Sequence, residues 1–164
     1  MHKNYLLHYK ETDSMIKLTI EQNDIEAMID RGIKLHGHAG PYLNLGIKMG
    51  LLALEILKAK GYFDLSVDAE LEYRRPMSCF VDGLQISTGC TMGKGNIRVK
   101  DQPGNINALF KTENKTLRIE LKPEIVESLD FKKESCEDLG NHILTLSNEE
   151  LFNYDEKTEQ VQNN

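Results

Sequence analysis

A chain of 164 residues with 40% hydrophobic and 28% charged residues has the balance of one soluble globular domain. Its net charge of −6 argues against a general attraction to nucleic acid, and no stretch approaches the ~20 apolar residues of a membrane span. Its three cysteines form no disulfide framework, so we expect reduced thiols in a cytoplasmic protein. Residues 1–7 lack the long apolar run of a secretory signal, and we expect none.

The N-terminal part of the chain has the pattern of two helices. Thr19 and Gln22 have the spacing of a capping box, and apolar residues at helical spacing follow, which predicts a first helix ending near Gly37. Pro41 suits the first turn of a second helix, for which Gly61 is a natural stop. Because the apolar stripe of this second helix is broad, we expect it to be covered on most sides.

The rest of the chain has the pattern of strands followed by helices. Strands are predicted over residues 67–73, 97–100, 106–112 and 116–121, with one or two helical turns over 80–87. Pro123 is predicted to open a further helix, and residues 136–146 another. Helices and strands that are segregated in this way favour an α+β layer fold over a doubly wound one. We expect one domain over residues 1–150 and a flexible acidic tail over 151–164.

The first candidate site is the helix–helix junction at residues 35–41. His36 and His38 stand two residues apart, so they cannot share one helical face, but in a turn one of them can point inward. The N-terminus of the second helix lies beside them, where free backbone N–H groups favour an anion. The alternative is a surface turn in which both histidines are solvated.

The second candidate site extends from Cys79 to Lys94. Cys79 and Cys90 flank a stretch that carries Asp82 and Gln85, and a glycine-rich loop follows. Thiolates and imidazoles are usual ligands for zinc and similar metals, although this spacing is not that of a zinc knuckle. The alternative is two buried cysteines that act as small apolar residues.

The loop at residues 89–95 looks superficially like a nucleotide-binding Walker A loop. It has three residues between its glycines where that motif has four, and Gly95 replaces the Ser or Thr that would hold magnesium. The loop also precedes a predicted strand, whereas a Walker A loop opens a helix. ATP hydrolysis is therefore not expected, and anion binding by Lys94 and nearby backbone amides stays an alternative.

These two segments resemble the FmdE family (also FwdE) of proteins related to formylmethanofuran dehydrogenase. The family's Gly-His-x-Cys-Pro-Gly motif is matched at residues 37–42, and its Cys-x-Val-Asp-x-x-Gln motif at 79–85. Its Thr-Gly-Cys-Thr-x-Gly-Lys-Gly-Asn motif is matched without a gap at residues 88–96. The resemblance extends from about Ile25 to about Leu121. It implies a two-layer α+β domain with the order α-β-α-β-β-β and a mixed sheet, and it implies a homodimer.

The resemblance also implies a site for zinc or another transition metal. Its ligands in this chain would be His38, Cys79 and Cys90, with Asp82 as a further ligand or as a hydrogen-bond acceptor behind one.

Two departures from the family pattern bear on this metal site. Gly40 stands where the motif has cysteine, and Tyr42 stands where it has glycine, so one expected thiolate is missing. Only Cys136 follows Cys90, so the C-terminal Cys-x-x-Cys zinc ribbon of some members is not expected here. Three protein ligands with one open position would match the arrangement of catalytic zinc sites.

Three functions are compatible with these residues. The first is an FmdE-like metal-binding accessory protein, linked by the resemblance to one-carbon metabolism. The second is a metal-free module that binds a small molecule or anion through Gln85, Thr91 and Lys94. An enzyme acting on a one-carbon or pterin-like substrate is a third hypothesis, but no residue pair demands a particular reaction.

Overall fold

The computed structural model describes residues 25–158. The predicted capping box at Thr19 and Gln22 and the last six residues of the predicted tail lie outside this range. Within it, the helices are α1 Ile25–His36, α2 Pro41–Leu57, α3 Cys79–Thr88, α4 Pro123–Ser128, α5 Cys136–Thr145 and α6 Asn148–Leu151. The strands are β1 Ser66–Leu71, β2 Ile97–Asp101, β3 Asn107–Lys111, β4 Lys115–Leu121 and β5 Phe152–Thr158.

The five strands form one mixed sheet in the order β2-β1-β3-β4-β5. β1 and β2 are parallel. The chain passes from one to the other through α3, so that both strands start at the same end of the sheet. The other neighbouring strands are antiparallel. The predicted α+β class and the mixed sheet are confirmed.

Alternation along the strands gives the sheet one apolar and one charged face. In β1, Val67, Ala69 and Leu71 are buried, while Asp68 and Glu70 point to the opposite side. The opposite face carries ion pairs that join β1 to β2, β3 and β4: Arg98–Asp68, Lys111–Asp68, Lys100–Glu70 and Arg118–Glu70. The helices therefore cover only the apolar face.

α2 is the central helix of that layer, and it touches α3 backbone to backbone. A Cβ atom built on Gly46 would lie 2.1 Å from the Phe80 carbonyl oxygen, and one built on Gly83 would lie 2.2 Å from the Leu43 oxygen. Only glycine fits such an approach, because any side chain would push the two helices apart. This contact fixes the position of α3, and with it that of Asp82, relative to the α1–α2 junction.

The structure differs from the predicted elements in three places. α3 is ten residues long, more than the predicted one or two turns. α2 ends at Leu57, before Gly61, because Lys58 adopts a left-handed conformation with φ 54°. Residues 152–158, predicted as part of a flexible tail, form β5 and pair with β4 along seven positions. No helix within residues 25–158 is long and apolar enough to cross a bilayer.

Candidate functional site

The junction between α1 and α2 meets the start of α3 through one hydrogen bond. His36, the last residue of α1, donates from Nδ1 to Asp82 Oδ2 at 2.7 Å. The His36 side chain is 12% exposed and that of Asp82 is 37% exposed. Because Asp82 lies in the first turn of α3, this bond ties the first helix to the third at the rim of the core.

The other ring nitrogen of His36 has no partner. His36 Nε2 is buried and makes no hydrogen bond. A buried polar atom left unpaired costs roughly 1–3 kcal/mol and calls for a physical explanation. In the neutral form of the ring, a proton on Nδ1 facing the carboxylate leaves Nε2 as the nitrogen with the free lone pair. A histidine held by a carboxylate in this way is the usual arrangement of a metal-binding imidazole.

His38 lies next to His36, on the exposed side of the junction. The two imidazole rings have centroids 4.8 Å apart and planes inclined by 34°. A Cβ atom built on Gly40 would lie 3.3 Å from His38 Nε2 and 2.9 Å from Cys136 Sγ. The place of the motif's missing side chain is therefore bordered by an imidazole nitrogen and a sulfur atom from α5.

Two half-buried thiols accompany the histidines. Cys79 begins α3 and Cys136 begins α5. Burial raises the pKa of the Cys79 thiol, and the charges of Asp82 and Cys136 raise it further. Burial also raises the pKa of Cys136. Both thiols are consequently protonated at neutral pH unless a cation favours the thiolate.

Hydrogen bonds from α2 hold α5, and so Cys136, in place. Asn44 Nδ2 donates to the Gly140 carbonyl oxygen at 3.0 Å, and Lys48 Nζ donates to the Leu146 oxygen at 2.5 Å. Both donors are at most 8% exposed, and burial lowers the pKa of Lys48 while the charge of Glu150 opposes that shift.

Cys90 lies away from these groups, in the main core. Its side chain is 0% exposed, and its Sγ donates to the Leu65 carbonyl oxygen at 3.3 Å. Burial raises the pKa of this thiol. Cys90 therefore packs as a small buried residue of the main core.

The glycine-rich loop after α3 satisfies most of its own polar groups. Gln85 Oε1 accepts from the Met92 amide at 3.0 Å, and Thr91 Oγ1 accepts from the Lys94 amide at 3.2 Å. Lys94 Nζ donates to the Gly89 carbonyl oxygen and lies 5.1 Å and 5.0 Å from the ring centroids of Tyr62 and Phe63, respectively.

Gly89 ends α3 with a left-handed φ of 67°, and a Cβ there would meet the Tyr62 ring at 2.6 Å. Asn96 closes the loop: its Oδ1 accepts from the Thr91 amide, and its Nδ2 donates to the Tyr62 carbonyl oxygen. The long motif that carries the family resemblance thus has a structural explanation in the turn from α3 to β2.

Of the predicted metal ligands, the structure brings His38, Cys79 and Asp82 into one neighbourhood and leaves Cys90 outside it. Of the predicted anion-binding residues, Gln85 lies in α3 and Thr91 and Lys94 lie in the loop, and all three side chains form hydrogen bonds with the loop backbone. In residues 25–158 no three His, Cys, Asp or Glu side chains converge as a ready metal site.

Sequence reasoning singled out His38 over His36 and assigned no role to Cys136. The carboxylate that holds His36 stands 46 residues away in the sequence, and the docking of α5 is what brings Cys136 to Gly40.

Comparison with known proteins identifies a matching family and a distant relative. The family profile described as "FmdE, Molybdenum formylmethanofuran dehydrogenase operon" matches residues 35–153. A protein of Archaeoglobus fulgidus named "Probable S-adenosyl-L-methionine-binding protein" is 29% identical over 118 residues. That match covers 71% of this chain and 32% of the relative, so the chain spans about a third of that protein's length. The profile match includes the junction, α3, the loop and α5.

Proposed function

This chain belongs to the FmdE family, and from that premise we propose that it is an accessory protein of the formylmethanofuran dehydrogenase type that binds a transition metal ion at the α1–α2 junction. The observation that carries the proposal is His36, whose Nδ1 is held by Asp82 while its Nε2 is buried without a partner. A metal ion would supply the partner that Nε2 lacks.

The donor set fits zinc or a similar ion in its chemistry. Imidazole nitrogens from His36 and His38 and a thiolate from Cys79 are borderline and soft donors, which zinc prefers. Asp82 would accept the hydrogen bond from His36 Nδ1 and so fix the tautomer of that ring. Of the two roles that the sequence allowed for Asp82, this is the acceptor and not the direct ligand. Because no three donors of the described residues already converge, binding would have to draw these side chains together.

Metal analysis of the purified chain tests this proposal. Protein purified without added metal and then dialysed against zinc should retain about one equivalent, measured by mass spectrometry of the element. His36→Ala should lose that equivalent, and Asp82→Asn should weaken binding roughly 10–100-fold. His142→Ala removes an exposed histidine from α5 and serves as the matched control. A wild-type chain that takes up no zinc, nickel or cobalt contradicts the proposal.

S-adenosyl-L-methionine is a second candidate ligand, supported by the name of the Archaeoglobus fulgidus relative. This ligand would suit the metal-free small-molecule module of Gln85, Thr91 and Lys94 better than the metal site. Isothermal titration of metal-free protein with S-adenosyl-L-methionine tests it. Binding that persists in His36→Ala would favour this second function, and absence of binding to the folded chain would refute it.

The chain is also proposed to form a homodimer, as the resemblance implies. Leu35 and Phe63 are large apolar side chains that stay 63% and 74% exposed, which is compatible with a contact between copies. Light scattering at two protein concentrations measures the mass in solution, and a monomer mass at both would contradict the dimer.

A further inference from the structure

A groove of about 410 Å³ opens between the end of α2, the connection from α2 to β1, and the turn from β3 to β4. It is lined by residues 57–59, by Phe63 and Asp64, and by residues 112–114, and we call it the Phe63 groove. Its volume lies within the range of small-molecule sites, about 300–1,000 Å³. Its lining contains no residue of the α1–α2 junction, so it is separate from the proposed metal site.

Phe63 is presented to solvent by a strained turn. Its side chain is 74% exposed, the largest exposed fraction among the large apolar side chains of the described residues. The Phe63 amide donates to the Gly61 carbonyl oxygen at 2.8 Å across Tyr62, whose φ is 62°. A γ-turn with positive φ is rare, above all at a bulky residue, and such a turn calls for a functional explanation. Packing of the core does not account for this exposed ring.

The turn is held in place by its neighbours. The Tyr62 amide donates to the Thr88 carbonyl oxygen at 2.9 Å, and Asn96 Nδ2 donates to the Tyr62 oxygen. Asp64 Oδ2 accepts from the Lys60 amide at 2.9 Å, which engages one of its two carboxylate oxygens. This wall of the groove is therefore fixed before any ligand binds.

The charges around the groove favour a cation. Asp64 and Glu113 contribute two exposed carboxylates, against the single ammonium group of Lys58. Among the described residues, the Glu113 side chain has no hydrogen-bond or ion-pair partner. α2 ends beside these groups, and the C-terminal end of a helix carries a partial negative charge. A positively charged ligand would thus be attracted to the groove.

The Phe63 ring already has one cation beside it. Lys94 Nζ lies 5.0 Å from the Phe63 ring centroid and donates to the Gly89 carbonyl oxygen. Because the Phe63 side chain stays 74% exposed beside this ammonium group, a flat group can still stack on it from the groove. Lys94 would repel a second positive charge at the ring, so the charge of a ligand belongs beside Asp64 and Glu113.

We propose that the Phe63 groove binds an organic cation of the charged-nucleoside class, with its flat ring on Phe63 and its positive charge beside Asp64 and Glu113. This inference rests on the second candidate function, binding of S-adenosyl-L-methionine, and names a site for that ligand. The molecule combines an adenine ring with a sulfonium and an ammonium group, and Lys58 would suit its carboxylate. The groove adjoins the glycine-rich loop, because Lys94 contacts Phe63.

Calorimetric titration with two related ligands tests the proposal. S-adenosyl-L-homocysteine has the adenine ring and the amino-acid group of S-adenosyl-L-methionine but lacks the sulfonium charge. Both are titrated into the metal-free wild type, Phe63→Ala, and the double variant Asp64→Asn with Glu113→Gln. Phe63→Ala should bind both ligands roughly tenfold more weakly, because both lose the stacked ring. The double variant should bind S-adenosyl-L-methionine roughly three- to tenfold more weakly and S-adenosyl-L-homocysteine less so, because only the former carries the sulfonium.

Two control variants match these changes. Tyr154→Ala removes an exposed aromatic ring from β5, and Glu127→Gln removes an exposed carboxylate from α4, both outside the groove. Circular dichroism and light scattering check that Phe63→Ala keeps the fold and the mass of the wild type. If its mass changes, the double variant at Asp64 and Glu113 decides alone.

The outcomes separate this site from the function on which it rests. Affinity for S-adenosyl-L-methionine that is unchanged in both groove variants would overturn the inference and leave the second candidate function standing. Equal affinity of the wild type for the two ligands would also overturn it, because the groove would then not recognise the positive charge. A folded wild type that binds no S-adenosyl-L-methionine would refute the second candidate function and this site with it.

Discussion

Replacement of Gly46 by alanine probes the contact on which the candidate site depends. The added Cβ would lie 2.1 Å from the Phe80 carbonyl oxygen and 3.0 Å from both the Gly83 Cα and the Leu84 nitrogen. All three neighbours are backbone atoms of α3, so no side chain can rotate away. Relief therefore requires α2 and α3 to separate by roughly 1 Å, and a gap of that size forfeits a quarter to a half of each van der Waals contact.

The expected cost follows from two opposing effects. Overpacking of this kind costs about 1–3 kcal/mol, and the rigid backbone neighbours place Gly46→Ala at or above the upper end. Alanine is about 1 kcal/mol better than glycine within a helix, which offsets part of that cost. We therefore expect a loss of about 2 kcal/mol in the free energy of unfolding, measured by urea denaturation followed by circular dichroism.

Gly93→Ala provides the control for this measurement, because the nearest atom to its added Cβ is Thr91 Oγ1 at 4.0 Å. Its free energy of unfolding should lie within about 0.5 kcal/mol of that of the wild type. If Gly46→Ala were as stable as Gly93→Ala, the backbone contact between α2 and α3 would not be present in solution. The same displacement should weaken the bond between His36 and Asp82, so zinc affinity should fall in Gly46→Ala alone.

Three further predictions concern stability and thiol chemistry. Burial alone would raise the pKa of Asp68, but hydrogen bonds from Arg98 and Lys111 outweigh it and hold that pKa below its usual value. Asp68→Asn should therefore cost about 1 kcal/mol at pH 7, a modest figure because the pairs are partly exposed, and the cost should vanish as the pH falls through the lowered pKa. The free energy of unfolding of the wild type and of Asp68→Asn, measured at a series of decreasing pH values, checks this. Ser135→Ala should cost about 1 kcal/mol by removing the cap of α5, measured by thermal unfolding. Cys90 should resist iodoacetamide in the folded chain and react only after denaturation, measured by peptide mass; fast labelling would contradict its burial.

Periodicity predicted most of the fold because the apolar stripes are long. α2 is apolar and buried on almost every side, and the strands alternate between buried and exposed residues, so both patterns are visible in the sequence. β5 was missed because only Phe152 is buried in it and every later residue is exposed, which leaves no alternation to detect. α3 was predicted too short because Gly83 is a poor helix former, whereas its packing against α2 requires glycine there.

The candidate site was only partly predictable, for a different reason. Asp82 and His38 stand within recognisable motifs, so the sequence pointed to both. The role of His36 depends on a hydrogen bond across 46 residues. The approach of Cys136 to Gly40 depends on the docking of α5 against the start of α2. Sequence spacing carries no information about either contact.

Two of the three motifs therefore have different physical meanings. The longer match, residues 88–96, has its polar groups engaged within the loop that connects α3 to β2, so its residues are explained by the turn they build. The shorter and imperfect match, residues 37–42, borders the buried unpartnered nitrogen and the half-buried thiols. A family can thus be recognised best where the chain is most constrained by its fold. The ligand-binding chemistry is better sought where the structure leaves a polar atom unpaired, because there the fold alone does not account for the residue.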